Sequence, residues 1–356
     1  RKIRVEGGYD LVVGGGGPAG FAAAVRAARM GEKVLLLEGS GALGGMATMG
    51  LVNSYDCLAD GEKCLVRGIQ KEILDRLWNQ GEAAPNVKPE HWNERYLMPT
   101  RVMPEELKRT LDEMAEEAGV RVRFFAKVVD AIVSETGGRL EGIVAHAVDG
   151  LRVIRAPSYI DCTGDAVLAK YAGVSTWEGL KDTEHVMPAT LCFVTGNADD
   201  ARADNPRKYA DAALRDGAFT YPEVRFVPSR IGPGLTAWNA GHVYDLDATD
   251  PDALSRGIAL GRRIVKEHVA YLRKYVPGYE DCVLVSTAPL MGVRESRRIR
   301  GEYQLTQGDF LSARQFPDQI GLYIKEPDIH VYDPTPKVQA RHKRWRGERK
   351  GWLPPR

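Results

Sequence analysis

The first forty residues alternate between short apolar runs and a small-residue helical pattern. The segment from Tyr9, "YDLVVGG", is an apolar run that enters glycines, which is typical of a strand buried on both faces. The next segment, "PAGFAAAVRAARMG", is rich in alanine, has a proline in its first turn and ends at Gly31, and therefore predicts a helix. The segment "KVLLLE" predicts a second buried strand. Together they predict a β–α–β unit.

Helical spacing returns between Leu65 and Met114. Two segments, "VRGIQKEILDRLWNQG" and "MPEELKRTLDEMAEEAG", carry apolar residues three and four apart and stop at glycine. The proline-containing stretch between them is predicted to be a loop. After it, "VRVRFFAKVVDAIV", "RLEGIVAHAV" and "LRVIRAPSYIDCTGD" alternate apolar and polar residues, which predicts a strand meander that feeds a last buried strand.

The pattern changes at about Glu184. It predicts a strand in "MPATLCFVTG", a Pro- and Asp-rich loop region, a helix from about Pro251 to Tyr275, and a strand in "CVLVST". We therefore expect an α/β protein of two domains. The main part of a Rossmann-like domain with a parallel sheet and a β-meander covers residues 1–184, an inserted α+β substrate or cap domain covers 185–290, and residues 291–356 return to the first domain.

The composition mainly argues against certain partners and sites. The chain has 356 residues, 49 basic against 48 acidic, so no global charge favours nucleic acid or membrane as a partner. Its five cysteines are an odd number without a Cys-x-x-Cys pair, which argues against a disulfide framework and a zinc knuckle, and we assign no metal ligands. No apolar run reaches the ~20 residues of a membrane span and no secretory leader is evident. We expect a cytoplasmic protein.

The turn after the first predicted strand carries Gly15-x-Gly17-x-x-Gly20. The first glycine of such a turn bends the chain, the second lets the backbone approach a pyrophosphate, and the third lets helix and strand pack closely. Glu38 ends the next strand about 20 residues on, where a ribose-binding acid is expected. The pattern predicts a bound dinucleotide with an unphosphorylated adenosine ribose. NAD and FAD share that ribose, so both remain open.

Two later segments favour a flavin. Directly after Glu38 comes "GSGALGGMATMG", a second glycine-rich segment, which the ribityl chain and ring of a flavin need and a nicotinamide does not. Farther on, "YIDCTGDAVLAKYAG" runs from a buried strand through Gly164 and Asp165 into a helix, a second turn that faces the same crevice. Asp165 is either the N-cap of that helix, a ligand contact, or both.

With these motifs the chain resembles the FAD-dependent oxidoreductases related to the glutathione reductase and fumarate reductase flavoproteins. The resemblance covers nearly the whole chain in order and rests on "GGGGPAGFAAAVRAARMG", "LLLEGSGALGGMATMGLV", "RGIQKEIL", "PEELKRTLDEM", "DCTGDAVLAKYAGV", "MPATLCF", "GVRESRRIRGEYQLTQGD" and "IHVYDP". It implies that FAD lies along the first β–α–β unit, with Glu38 on the ribose and Val128 on the strand that meets the adenine. The implied cofactor-binding residues are Gly15, Gly17, Pro18, Ala19, Gly20, Glu38, Gly45, Met46, Ala47, Val128, Gly164 and Asp165.

Catalytic candidates come from two further segments. "GVRESRRIRGEY" gathers four arginines around Glu295, either as a salt-bridge network or with Arg294 or Arg297 reaching the flavin or an anionic substrate. His330 lies in a stretch that resembles the family's, and is either a structural histidine or a general base. A redox disulfide is disfavoured, because "GGMAT" holds no thiol where disulfide-reducing relatives carry a cysteine pair.

We therefore predict an FAD-dependent oxidoreductase that transfers a hydride between a small-molecule substrate and flavin N5, alone or as a homo-oligomer or with a partner subunit. Two alternatives remain: a fumarate-reductase-like enzyme that reduces an activated double bond with an arginine as proton donor, and a non-catalytic FAD-binding subunit. Relatives usually continue with a strand and a glycine-containing turn that complete the flavin pocket. We expect the sequence ending at Arg356 to lack them.

Overall fold

The computed structural model describes residues 3–95, 99–221, 226–321 and 328–348, the side chains of 345–348 excepted. The strands are β1 (Arg4–Glu6), β2 (Leu11–Gly14), β3 (Val34–Leu37), β4 (Ser54–Tyr55), β5 (Thr100–Arg101), β6 (Arg121–Arg123), β7 (Lys127–Val133), β8 (Leu140–Ala147), β9 (Gly150–Ile154), β10 (Ser158–Asp161), β11 (Thr176–Glu178), β12 (Ala189–Thr190), β13 (Phe193–Gly196), β14 (Phe226–Gly232), β15 (Leu235–Ala240), β16 (His242–Val243), β17 (Val283–Thr287) and β18 (Arg297–Ile299). The helices are α1 (Pro18–Arg29), α2 (Ile69–Asn79), α3 (Glu90–Asn93), α4 (Pro104–Glu117), α5 (Val167–Tyr171), α6 (Gly179–Asp182), α7 (Ala210–Arg215), α8 (Pro251–Tyr275), α9 (Gln307–Leu311) and α10 (Pro336–Glu348).

A parallel sheet of order β10-β2-β3-β6 forms the centre of the first part of the chain. Its strands run in register, with Gly14 beside Asp161 on one side and Leu37 on the other. Because all four strands run the same way, the turns that follow β10, β2 and β3 lie at one edge of the sheet. In sheets of this kind that edge is where ligands bind.

Both faces of the two central strands β2 and β3 are covered, which explains why these two are apolar throughout. The outer strand β10, predicted to be buried, is partly exposed because it pairs on one side only. On one face Leu11, Val13 and Leu36 pack against helices α1, α2 and α4. On the other face Val12 and Leu35 pack against the strands β7 to β9 and helix α5. The strands β7, β8 and β9 form an antiparallel meander, and β1 joins β9 in parallel. The result is a three-layer α/β arrangement, so the predicted fold class is confirmed.

Two details of this part differ from the sequence prediction. The segment "VRVRFFAKVVDAIV" forms two strands in different sheets, β6 beside β3 and β7 beside β8, because the chain turns at Phe125, where φ is +52°. The proline-containing stretch between α2 and α4 also holds the short helix α3 and the strand β5.

An antiparallel sheet of order β14-β15-β13-β17 forms the second part, and the long helix α8 packs on it. Their shared core contains Phe193, Phe226, Trp238 and Leu272. The sequence prediction had only a loop region where β14 and β15 form a hairpin. It also treated "MPATLCFVTG" as one strand, whereas β12 pairs with β16 and β13 with β15 and β17.

The two parts are joined by short ladders. β11 pairs with β18, so residues before and after the antiparallel sheet meet again, and Thr190 of β12, itself paired with β16, bridges to Gly292. The boundaries at 184 and 290 stay a prediction. Among the described residues no helix has both the length and the apolar character needed to cross a bilayer.

His268 lies on α8 inside the aromatic core of the second part. Its Nδ1 is 2.8 Å from the carbonyl oxygen of Ile264, and because a carbonyl only accepts, Nδ1 carries the proton. Its Nε2 is buried without a hydrogen-bond partner among the described residues, beside the rings of Phe219 and Phe226. Burial lowers the pKa of this imidazole to about 4, so His268 is neutral in the folded protein at neutral pH.

This lowered pKa predicts an acid-sensitive contribution to stability. An unfolded chain binds the proton below its ordinary pKa of 6.5 and the folded chain only below about 4. The free energy of unfolding therefore falls by roughly 3 kcal/mol as the pH drops across that interval. Replacing His268 with leucine removes the titration, and urea unfolding at several pH values should show a smaller loss for His268→Leu than for the wild type. The matched control is His146→Leu at an exposed position on β8. Equal losses in all three proteins would contradict the assignment.

Candidate functional site

The turn between β2 and α1 requires two of its glycines for packing. Gly15 has φ of +99° and donates its N–H to the carbonyl oxygen of Leu37, and a Cβ there would overlap the carbonyl of Cys162. A Cβ on Gly20 would overlap the carbonyl of Gly15. Both residues are therefore fixed as glycine by the chain itself, whatever the turn binds.

Gly17 differs, because a Cβ on it would meet no atom of the described chain within 4 Å. Its φ of −67° is open to any residue, so neither strain nor crowding explains the glycine. Gly17 is the N-cap residue of α1, whose first turn has Pro18 at its start and no acidic side chain. The free N–H groups and the positive end of this twelve-residue helix are left facing that open space, which fits the pyrophosphate of a dinucleotide.

Glu38 follows β3 at the same edge and connects two loops. Its carboxylate is only 8% exposed and accepts the backbone N–H of Gly16 at 2.7 Å and that of Ser40 at 2.6 Å. A carboxylate has about four acceptor positions, so two ribose hydroxyls can still bind. The position fits the predicted ribose contact.

The second glycine-rich segment folds directly onto the first. Gly44 donates its N–H to the carbonyl oxygen of Gly16 at 2.9 Å, and a Cβ on Gly45 would lie 3.0 Å from Cα of Gly17. Gly44 and Gly45 both have positive φ, so glycine is what allows this approach. Met46 and Ala47 complete the turn beside it. The two segments therefore form one continuous backbone surface.

The turn after β10 lies beside the first glycine turn, because Cys162 donates its N–H to the carbonyl oxygen of Gly14. Gly164, with φ of +83°, and Asp165 are exposed at its tip. Of the roles left open for Asp165, the structure contradicts the N-cap, and the ligand contact stays a prediction. Thr163 accepts the N–H of Val167 and Asp161 that of Ala169, while Asp165 accepts a hydrogen bond from the Ser296 hydroxyl at 2.6 Å.

The arginine-rich segment contacts this same turn. Arg297 lies 3.2 Å from Glu178 and donates to the carbonyl oxygen of Asp165. The ammonium of Lys170, followed by that of Lys181, lowers the pKa of Glu178 to about 2, so the carboxylate is charged at neutral pH. Arg297 thus belongs to an ion-pair network that holds the turn. This matches the structural reading of the arginine cluster.

Arg294 and His330 both contact the residues just before β12, Pro188 and Met187. The guanidinium of Arg294 donates from Nε to the carbonyl oxygen of Pro188. His330 is 5% exposed, with Nε2 3.5 Å from a carboxylate oxygen of Asp328 and its backbone N–H on the sulfur of Met187. Val128, the predicted adenine contact, is buried on β7 beside Gly14.

All five cysteines are free thiols. Burial raises the pKa of Cys64, Cys162 and Cys282, and that of Cys192 to about 12, so these thiols are protonated at neutral pH and poor nucleophiles.

Sequence reasoning did not identify several residues that the fold brings to this region, namely Glu178, Thr190, His242 and Ser296. Ser296 lies inside the arginine-rich segment, of which only the charged residues were candidates. No motif marked the others, since each is placed only by pairing between distant strands.

The fold and this edge define a dinucleotide-binding α/β protein with two adjoining glycine-rich loops. Residues 10–352 match the family described as FAD dependent oxidoreductase. The chain belongs to that family, as the sequence predicted.

Individual relatives are more distant. A thiamine thiazole synthase from Methanothermobacter thermautotrophicus is 29% identical over 164 residues, which cover 44% of this chain and 55% of the synthase. A geranylgeranyl bacteriochlorophyll reductase-like protein from Thermoplasma acidophilum gives a TM-score of 0.47 at 16% identity, over 81% of this chain and 66% of that one. L-proline dehydrogenase from P. horikoshii gives 0.45 at 14% identity, over 80% of both chains.

The contrast between Gly17 and Gly20 can be tested. Gly17→Val places a side chain in open space, so we expect an unchanged melting temperature of the FAD-free protein and an FAD affinity lower by at least about tenfold, because each 1.4 kcal/mol of lost binding is tenfold. Gly20→Ala should instead lower the melting temperature of the FAD-free protein itself. Differential scanning fluorimetry and FAD titration measure the two effects. The interpretation fails if Gly17→Val binds FAD like the wild type.

Proposed function

We propose that this protein transfers a hydride between a small-molecule substrate and N5 of its FAD. The proposal rests on the position of the second glycine-rich segment, which contacts the residues after β17. Its Met49 accepts the N–H of Leu290 at 3.1 Å, and the Cε of Met46 is 3.6 Å from the place a Cβ of Gly292 would occupy. A flavin held along both glycine segments would therefore have its ring end toward the strands β12 and β16, with the substrate between them.

The cofactor residues of the proposal are those predicted from the sequence. We propose that the backbone of the two glycine segments holds the pyrophosphate and ribityl chain, Glu38 the ribose and the Gly164–Asp165 turn the ring end. FAD supplies the two-electron chemistry, and the chain positions the substrate and tunes the ring electrostatically.

Among the predicted catalytic residues, we propose that Arg294 binds the substrate and that Arg297 has a positioning role. Arg294 is half-buried, its Nε donates to the carbonyl oxygen of Pro188, and it follows Gly292 by two residues. A guanidinium held in this way suits a carboxylate-bearing substrate, which it binds with paired hydrogen bonds. Arg297 pairs with Glu178 and supports Asp165, so we propose that it acts through the turn.

The proposal predicts a reducible flavin. Full-length protein purified with FAD should show the absorption of oxidised flavin, and a panel of small carboxylate-bearing alcohols and amines should contain a compound that bleaches it without oxygen. Replacement of FAD by 5-deazaFAD, which accepts hydride, should retain transfer of deuterium from the substrate carbon. Bound flavin that none of the panel reduces, although dithionite does, would favour the non-catalytic subunit. Oxidation of the reduced flavin by an activated double bond would favour the reductase alternative.

The role of Arg294 gives a separate prediction. Arg294→Gln should keep the FAD content and raise KM for a carboxylate substrate by roughly ten- to a hundredfold, because hydrogen bonds to charged groups contribute about 1.5–3 kcal/mol. Arg298→Gln is the matched control, since Arg298 lies in the same segment with an exposed side chain. Steady-state kinetics of both variants test this role, and equal KM values would show that Arg294 does not bind the substrate.

A further inference from the structure

A small polar wall lies in the inserted strands opposite the second glycine-rich segment. Thr190 pairs in an antiparallel bridge with Gly292 on one side and with His242 on the other. Residues directly opposite in an antiparallel ladder project to the same face. The Thr190 hydroxyl and the His242 ring therefore share a face with Gly292. A Cβ on Gly292 would lie 2.8 Å from the carbonyl oxygen of Thr190 and 3.6 Å from Cε of Met46, so these strands border the second glycine-rich segment.

The hydroxyl of Thr190 is one of a few buried side-chain groups for which the described part of the chain offers no hydrogen-bond partner. Thr190 is 2% exposed, and its Oγ1 has no hydrogen-bond partner among the described residues. A buried hydroxyl without a partner destabilises the folded protein. A substrate bound between these strands and the second glycine-rich segment would supply the missing partner.

The His242 ring forms a pair with a second buried imidazole. The ring centroids of His242 and His330 are 5.3 Å apart at an interplanar angle of 75°, and the two residues are 7% and 5% exposed. The Tyr244 hydroxyl is 3.4 Å from Nδ1 of His242, and Asp328 is 3.5 Å from Nε2 of His330. A charge on His242 also acts on His268 of α8, whose pKa it lowers. The side chains of Asp328, His330, His242 and Tyr244 thus lie next to one another, and each can hold a proton.

We infer that His242 and His330 are the proton-transfer pair of this enzyme and that Thr190 binds the substrate, whose class is a secondary alcohol or an amine. This inference rests on the proposed function. In the oxidation direction the O–H or N–H bond breaks and its proton passes to His242, with its electron pair forming the second carbon–oxygen or carbon–nitrogen bond. The hydrogen on the substrate carbon leaves with two electrons, for which FAD is the acceptor. His330 and Asp328 stabilise the charged imidazole, and the Thr190 hydroxyl holds the substrate heteroatom.

The pair is tested by His242→Gln. We expect the FAD content and melting temperature to stay unchanged while kcat falls at least about a hundredfold, as loss of a general base does. A second measurement is independent of turnover. In the wild type the ring signals of His330, followed by NMR against pH, should show two coupled steps, and in His242→Gln a single step. The control is His185→Gln, whose ring stacks on Tyr332 in the same region.

An unchanged kcat, or a His330 titration that does not respond to His242→Gln, would overturn the inference. If His242→Gln does not fold, His330→Gln tests the same pair through the signals of His242. If the wild type binds FAD that no alcohol or amine reduces, the proposed function fails, whereas the NMR coupling still reports on the pair.

Thr190→Val tests the substrate contact. Valine matches the shape of threonine without the unpartnered hydroxyl, so we expect an equal or higher melting temperature and a KM raised roughly tenfold, which is one lost hydrogen bond. Thr110→Val is the matched control, because Thr110 on α4 is equally buried and its hydroxyl is also unpartnered. A KM equal to that of the control would show that the Thr190 hydroxyl binds no substrate.

Discussion

The buried carboxylate of Glu38 is the constraint on which the cofactor crevice depends. A charge that is 8% exposed is stable only when hydrogen bonds replace water, and Glu38 obtains them from the N–H groups of Gly16 and Ser40. These two bonds fasten the turn after β2 to the loop after β3. Once that loop is fixed, Gly44 reaches the carbonyl oxygen of Gly16, and the second glycine segment can lie against the first. The continuous backbone surface that suits FAD follows from one carboxylate.

The rest of the site is attached to this surface by bonds between distant parts of the chain. Ser296 and Arg297 hold the turn at Asp165, and Leu290 joins Met49. Thr190 links Gly292 to His242. The first three bonds join loops at the edge of the parallel sheet to residues 290–297. The Thr190 pairs extend this connection to β12 and β16. The proposed substrate space therefore lies between two kinds of architecture, the nucleotide-binding edge of the parallel sheet and a set of short antiparallel ladders.

The sequence allowed prediction of those features that depend on local physics. The bounds of α8 follow from helical periodicity between Pro251 and Tyr275, and the glycine turn follows from its spacing before a helix. The hairpin of β14 and β15 was missed because its proline and glycines interrupt the alternation that indicates strands. Of the roles left open for Asp165, the N-cap is not observed, because Thr163 and Asp161 accept the first N–H groups of α5. Residues such as His242 could not be found, since strand pairing between distant segments places them.

The strand order of the parallel sheet also determines when the site can exist during synthesis. β2 lies between β3 and β10, and Gly14 pairs with Asp161, so the nucleotide turn near the N-terminus is completed by residues made about 150 positions later. Gly15 packs on the carbonyl of Cys162 for the same reason. Contacts this distant in sequence form late, because the intervening loop must first close. The nascent chain therefore carries its dinucleotide motif long before it can capture the cofactor, and FAD binding would mark the end of folding rather than nucleate it.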